Sequence, residues 1–363
     1  MLLSPGPAGR VKIVLGPRLV GKTELLARLV AGKKHLILTG ADDNDLALLS
    51  DSKSSRKLAQ DFPCIIIDEA QLVPGIGRVL ERMADAGRAD ILVAGSRALD
   101  LAGDVGEPVA ARFDTFNLRP FSLAELAANT SWIEVKRQIQ ERMIYGCLPA
   151  VVNDPRHAQQ YLMDVADAVL YKDVFCLAQM RKPAQLTKLV RYLAAKAGSV
   201  VRYGSMAGDL GIENKTIERY VKALEACFVI KVVPSLSRNP TTEIKLGKKI
   251  YFYDNGIRNA VIRNFSPLPV RTDTAALWEN LFLTERVKHH AFLCDGAEIY
   301  FWRTRTQHEV DFLEVLNGRV SAFDCTVDPK RKTTSIRAFE RAYPDTKVVA
   351  ASPDNIDAVS CKA

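Results

Sequence analysis

The stretch that most constrains this chain is Gly16-Pro17-Arg18-Leu19-Val20-Gly21-Lys22-Thr23, which follows the spacing G-x-x-x-x-G-K-[ST]. Glycines at those two positions let a backbone curl until successive N–H groups point inward at phosphate oxygens. A lysine next to the second glycine reaches the β- and γ-phosphates, and the hydroxyl that follows binds Mg2+. The flanks suit this chemistry. Val11–Leu15 is an apolar run that reads as a buried strand, and Glu24–Val30 places Leu25, Leu26 and Leu29 on one helical face. A loop between a strand and a helix adds the helix N-terminus to its anion-binding groups. A glycine-containing turn that matches by chance is the alternative, and the flanks weigh against it.

A second strand is expected at His35–Thr39, and a third at Cys64-Ile65-Ile66-Ile67, which runs into Asp68-Glu69. Acids at the carboxyl end of a buried parallel strand lie where open α/β sheets bind ligands. Asp68 is the candidate to hold Mg2+ through water, and Glu69 to polarise the water that attacks the γ-phosphate. The plainer reading is an acidic pair that ends a strand and opens a helix. Ile91–Ala94 reads as a further strand, followed by Gly95-Ser96-Arg97, where Ser96 is either a γ-phosphate sensor or a small turn residue. Arg112 precedes Phe113–Leu118, a fifth strand. Strands alternating with helical stretches imply a parallel sheet covered on both faces.

These features resemble a large prokaryotic family of AAA+-type P-loop ATPases whose C-terminal half is catalogued as of unknown function. The residues that carry the resemblance are Gly16–Thr23, Asp68-Glu69-Ala70-Gln71, Gly95-Ser96, Ala111-Arg112, and Arg119-Pro120-Phe121-Ser122 with Glu125. The family usually has glycine before the arginine and threonine before Gly-Ser; here they are Ala111 and Ala94. The resemblance implies ATP and Mg2+ as ligands. It makes Arg112 a candidate arginine finger acting on the nucleotide of a neighbouring subunit, hence a homo-oligomer. A surface or sheet-edge arginine is the alternative. It also implies a small helical lid at 131–184, where Ser131–Tyr145 and Arg156–Phe175 have helical spacing.

Gln185–Ala197 is amphipathic, Ser205 is placed to cap a short helix, Gly211 turns the chain, and Asn214 opens Lys215–Cys227. Lys215, Arg219 and Lys222 share one face of that last stretch, opposite Ile217, Val221 and Leu224, and the apolar run Phe228–Pro234 follows. This is a helix-turn-helix order with a possible wing, and its basic face suits DNA phosphates or bases. A winged helix used for protein packing is the competing reading. The net charge of +8 leans only weakly towards an anionic partner.

The C-terminal stretch resembles the same family at Tyr253-Asp254-Asn255-Gly256, Trp278-Glu279-Asn280, Phe301-Trp302-Arg303-Thr304 and Glu309-Val310-Asp311-Phe312. Through it the module resembles the PD-(D/E)XK nuclease fold, in which a helix glutamate, a strand aspartate and a Glu-x-Lys build one metal site. Glu279 and Asp311 match. The third position reads Asp324-Cys325-Thr326, so a carboxylate is retained at Asp324 while Thr326 cannot supply an ammonium; Lys330 lies four residues further on. The Asn317-Gly318 pair between two strand-like runs predicts a tight hairpin.

The expected fold is therefore α/β: a parallel-sheet P-loop ATPase core at 1–130, a helical lid at 131–184, a winged helix-turn-helix at 185–235, and an α+β nuclease-like domain at 236–363. The expected function is Mg2+-dependent ATP hydrolysis coupled to DNA. A nucleotide-dependent switch with a protein partner and a metal-dependent nuclease are the alternatives. No apolar run approaches the roughly 18 residues that span a membrane, and the first residues lack a signal-peptide layout, so a cytoplasmic location is expected. Seven scattered cysteines without a C-x-x-C predict buried thiols and no zinc site.

Overall fold

The computed structural model describes residues 11–87, 89–99, 101–106, 112–169, 174, 183–237, 247–325 and 333–360. The chain divides into two compact units, Met1–Arg119 with Ala226–Phe228, and Pro120–Glu225 with Val229–Ala363.

The first unit is built on five strands, β1 (Val11–Leu15), β2 (Leu36–Thr39), β3 (Cys64–Asp68), β4 (Asp90–Gly95) and β5 (Phe113–Asn117), in the order β2-β3-β4-β1-β5. Every pairing is parallel. Successive residues of a strand point to opposite faces, and here both faces are apolar. Ile13, Leu15, Ile65, Ile67, Ile91 and Val93 pack on one side with Val79, Leu80 and Met83 of the helix Ile76–Ala86. Val14, Ile66, Leu92 and Ala94 pack on the other with Leu26 and Val30, at the helix Lys22–Leu29. Burial on both faces explains why these strands read as continuous apolar runs. Because the strands are parallel, the residues that follow Leu15, Asp68 and Gly95 emerge at one edge of the sheet.

The second unit contains two sheets. β6 (Val200–Val201), β7 (Ile230–Pro234) and β8 (Lys248–Phe252) form an antiparallel sheet in the order β6-β8-β7, preceded and interleaved by the helices Pro183–Ala195, Tyr203–Leu210 and Asn214–Ala226. β9 (Glu298–Arg303), β10 (Glu309–Leu316), β11 (Arg319–Asp324) and β12 (Val348–Ala350) form a mixed sheet in the order β12-β11-β10-β9. β10 and β11 join through Asn317-Gly318, both at positive φ (51° and 78°), as the hairpin requires. The helix Thr274–Leu293 lies against this sheet, with Trp278 and Phe282 packing with Phe312 and Phe323. Val135, Ile139 and Met143, from the stretch read as a lid, belong to that same core. Buried amides hold them there: Asn255 Nδ2 donates to the carbonyls of Met143 (3.1 Å) and Leu277 (2.9 Å), and Asn259 Nδ2 to Ile144 (2.7 Å).

Among the described residues no helix is long and apolar enough to cross a membrane, and no disulfide forms. Cys64, Cys147, Cys227 and Cys325 are buried, while Cys294 is exposed at the end of its helix, where the backbone turns left-handed (φ 52°). Thr326 and Lys330 lie outside the described residues, as does Ala111.

Candidate functional site

The loop begins where β1 ends. The Gly16 N–H donates to Gly95 O (3.2 Å), and a Cβ at Gly16 would stand 2.2 Å from Leu118 O. Only glycine fits this approach. Leu19 and Gly21 adopt positive φ (56° and 92°), which reverses the chain so that Lys22 becomes the first residue of its helix. The helix thus starts inside the loop, two residues before the stretch read from leucine spacing. The Lys22 ammonium donates to Gly16 O (2.9 Å) and Pro17 O (2.8 Å), lying across the curl of the loop.

Thr23 Oγ1 donates to Asp68 Oδ2 at 2.7 Å, joining the loop to the end of β3. The other oxygen, Asp68 Oδ1, accepts the Glu69 N–H (2.8 Å). Glu69 sits at φ 47°, a left-handed backbone that few non-glycine residues adopt and that marks a specified geometry. Its carboxylate meets Arg18 of the loop (3.5 Å) on one oxygen. The other oxygen accepts from Gln71 Nε2 and, at 3.4 Å, from Ser96 Oγ. Gln71 closes the network. Its Nε2 donates to Ser96 Oγ (2.8 Å), and its Oε1 accepts the Ser96 N–H (3.1 Å). Arg97 Nη2 in turn donates to Gln71 O (2.8 Å).

Lys22, Thr23, Asp68, Glu69 and Ser96 are therefore brought together at the loop edge of the sheet. Arg112, expected to act on the nucleotide of a neighbouring subunit, stands apart from them. It precedes β5 at the end where Phe113 pairs with Val11, whereas the loop leaves β1 at Leu15. Four residues of strand, about 13 Å, separate the two ends, and Arg112 Nη1 pairs with Asp85 Oδ1 at 2.8 Å. Gln71 is the participant that motif reading left without a role. Its signal was only its place, two residues beyond Glu69.

A second constellation lies in the other unit. β10 is antiparallel to β11 with Phe312 opposite Phe323, so Asp311 and Asp324 fall opposite one another. Asp311 sits where the register of β9 against β10 shifts, a bulge of the kind that re-aims a side chain. Glu279 comes from the helix Thr274–Leu293. At its centre is Lys249 of β8, a residue that no motif reading singled out. Lys249 Nζ contacts Glu309 Oε1 (2.8 Å), Glu279 Oε1 (2.9 Å) and Asp311 Oδ1 (3.4 Å). Tyr251 OH donates to the same Glu279 oxygen at 2.5 Å. Burial, with the charge of Asp311, pushes the Glu279 carboxyl up to about 7 against the opposing pull of Lys249. The Lys249 ammonium is held well above its ordinary value, because Glu279, Asp311 and Glu309 outweigh its desolvation. Burial also raises the Cys325 thiol, with Asp311, Glu279 and Asp324 adding to it. Among the described residues no group of His, Cys, Asp or Glu is arranged to hold a metal ion.

Lys215, Arg219 and Lys222 are exposed on the helix Asn214–Ala226, whose other face buries Ile217, Val221 and Leu224. Acid interrupts that basic face: Lys222 Nζ pairs with Glu218 Oε1 at 3.0 Å. Arg219 lies 5.5 Å from the Tyr220 ring centroid.

Three family models match the chain. Residues 8–127 match one described as an AAA domain. Residues 136–268 match a domain of unknown function (DUF8612) and residues 274–358 another (DUF4143). An uncharacterized protein of Mycobacterium tuberculosis is 25% identical over 323 residues, covering 86% of this chain and 69% of that protein. An uncharacterized protein of Haemophilus influenzae is 24% identical over 280 residues, covering 69% of each. Among solved structures, the Walker-type ATPase of Pyrococcus abyssi shares 13% identity at a TM-score of 0.44, covering 72% of this chain and 100% of its own. The AAA-domain match spans the loop and the parallel sheet, and it supports an AAA-type ATPase domain in the first unit.

Proposed function

We propose that the chain binds and hydrolyses ATP at the loop edge of the first unit's sheet. The observation that carries this is the joint placement of Lys22, Thr23, Asp68 and Glu69, with the Thr23 hydroxyl 2.7 Å from the Asp68 carboxylate. A hydroxyl and a carboxylate at that separation, both hard oxygen donors, fit Mg2+ held through Thr23 directly and Asp68 through water. When bound, the metal neutralises phosphate charge. Lys22 exchanges the carbonyls of Gly16 and Pro17 for phosphate oxygens, and the loop N–H groups bind the rest. Glu69, held by Gln71, Ser96 and Arg18, orients and polarises the attacking water. Ser96 is bonded to that same carboxylate, and its hydroxyl stands beside the acids from which it would sense the γ-phosphate.

The expected outcome is that Lys22→Ala abolishes ATP binding, while Glu69→Gln binds ATP and does not turn it over. Equal ATPase rates for wild type and Glu69→Gln would remove Glu69 from its role.

DNA is the proposed partner of the second unit. The order helix, strand, two helices, strand, strand across 183–252 supports a winged-helix reading, and the exposed Lys215, Arg219 and Lys222 support phosphate contact. Each neutralised phosphate contributes about −0.9 to the log–log salt slope. Reversing all three charges should therefore weaken DNA binding and flatten that slope; unchanged binding refutes this interface. The Lys222–Glu218 pair favours the second reading, a nucleotide-timed switch with a protein partner. ATPase activity that DNA leaves unaltered selects it. In either reading a homo-oligomer is the setting in which Arg112 reaches a nucleotide.

A further inference from the structure

The carboxylates Glu279, Glu309 and Asp311 converge as if on a cation, and a cation is already there. An ammonium has three donors, and Lys249 Nζ faces Glu309 (2.8 Å), Glu279 (2.9 Å) and Asp311 (3.4 Å). Two of the remaining oxygens are also engaged. Arg303 Nη1 lies 3.3 Å from Glu309 Oε2, and the Cys325 N–H donates to Asp311 Oδ2 at 3.3 Å. Lys249 is 1% exposed on the central strand of its sheet, and its ammonium lies 5.7 Å from the Phe301 ring centroid.

Mg2+ needs oxygens at about 2.0–2.1 Å in near-octahedral array, most of them commonly water. The ammonium nitrogen stands among these three carboxylates, 2.8, 2.9 and 3.4 Å from Glu309, Glu279 and Asp311. In the active fold a lysine stands beside the metal; here the ammonium stands in its place, in contact with Glu279, Glu309 and Asp311 at once, and a divalent ion would have to displace it. As it stands, the set Glu279, Glu309 and Asp311 is taken up by the ammonium and does not fit the metal that the nuclease resemblance implies at Glu279, Asp311 and Asp324.

We propose that Lys249 is the resident cation of this cluster, and that the C-terminal module takes no divalent metal there. The lysine ties β8 to the helix Thr274–Leu293 through Glu279 and to β10 through Glu309 and Asp311. The cluster is a joint between the two sheets of the second unit rather than a hydrolytic centre. This conclusion is independent of ATP hydrolysis in the first unit.

The test uses the full chain without nucleotide and Mn2+ alone as the probe, followed by the free-Mn2+ electron paramagnetic resonance signal and by thermal melting. Samples are wild type, Asp311→Asn, Lys249→Met and Lys249→Met/Asp311→Asn. The loop site is common to all four, so differences belong to the cluster. Wild type and Asp311→Asn should take up the same Mn2+. Lys249→Met should take up about one more ion per chain than wild type, with a Mn2+-dependent rise in melting temperature. This extra ion should be lost in the double variant, since hard carboxylates left without their cation are a cation site. Mn2+ taken up by wild type and lost in Asp311→Asn overturns the proposal, as does a folded Lys249→Met that gains none. If Lys249→Met fails to fold, Lys249→Gln replaces it, and the comparison of wild type with Asp311→Asn decides the matter by itself.

Discussion

Replacing Gln71 by alanine separates the network around Glu69 from the loop proposed to bind phosphate. Gln71 supplies one acceptor and two donor contacts: its Oε1 takes the Ser96 N–H at 3.1 Å, and its Nε2 reaches Ser96 Oγ at 2.8 Å and the Glu69 carboxylate. Ser96 is 2% exposed, so its N–H loses its partner in a place water does not enter. An unsatisfied buried donor costs about 1–3 kcal/mol. Losing the charge-assisted bond to Glu69 adds about 1 kcal/mol, below the usual range of about 1.5–3, because that carboxylate is partly exposed and water can take the vacated place. The first unit should lose about 2–4 kcal/mol in a urea melt. The kinetic effect falls on turnover. Proton transfer by a positioned group contributes about 10²–10⁴-fold. With Arg18 left as a support of Glu69, Gln71→Ala should reduce kcat by roughly 10- to 100-fold. KM should move by less than about threefold, because no hydrogen bond joins Gln71 to Lys22 or Thr23 among those described. Steady-state ATPase assays on protein shown to be folded measure both. A folded Gln71→Ala with kcat within twofold of wild type refutes the argument that this side chain holds the carboxylate proposed to be catalytic.

The remaining predictions concern other parts of the molecule. Arg112→Ala removes a solvent-exposed pair with Asp85 and should cost under about 1 kcal/mol in stability; dilute monomer should keep its ATPase rate, and a loss at every concentration would show that Arg112 acts within its own subunit. His290 lies between Asp295 (2.7 Å) and Glu314 (3.1 Å), with Arg286 and His289 also facing it. Hydrogen bonding to Glu314 raises its pKa above 6.5 against burial and Arg286, so the stability it adds is present below pH 6.5 and lost as pH rises through the raised value. Urea stability should therefore fall more steeply between pH 6 and 8 in wild type than in His290→Gln, and parallel curves would contradict this. Gly198→Ala should destabilise the second unit by about 1–2 kcal/mol, because φ is +76° and the new Cβ would stand 3.3 Å from Glu279 Oε2; an unchanged urea midpoint would refute it.

Sequence patterning already pointed to the parallel sheet, because buried strands must be apolar on both faces; Cys64–Ile67 and Ile91–Ala94 show that without interruption, and Val11–Leu15 with only Lys12 intervening. The phosphate loop and its two acids were equally legible, since a loop-bound phosphate needs particular residue types at fixed spacing within one local segment. The hairpin at Asn317-Gly318 followed from the two residues that tolerate positive φ. Gln71 and Lys249 were not legible. Gln71 gains its role only because β3 and β4 are neighbours, which brings Ser96 to it across 25 residues. Lys249 is separated by 30 residues from Glu279 and by 62 from Asp311, and it stands in an apolar strand where nothing local distinguishes it from a strand-end lysine. Missing a lysine at Thr326 is a fact of sequence; finding one in the same cluster from β8 is a fact of packing.

The sequence by itself therefore determined the chemistry that lies within one turn or one strand: the loop, the acidic strand end, the hairpin and the apolar faces. Tertiary structure decided everything that depends on which strands lie side by side. It put Arg112 at the far end of β5, gave Glu69 its supporting glutamine, and set an ammonium among three carboxylates. The physical reason is that local backbone preference and periodicity act over a few residues. Hydrogen bonds and charges act over a few ångströms of space, and that proximity exists only once the sheets have formed.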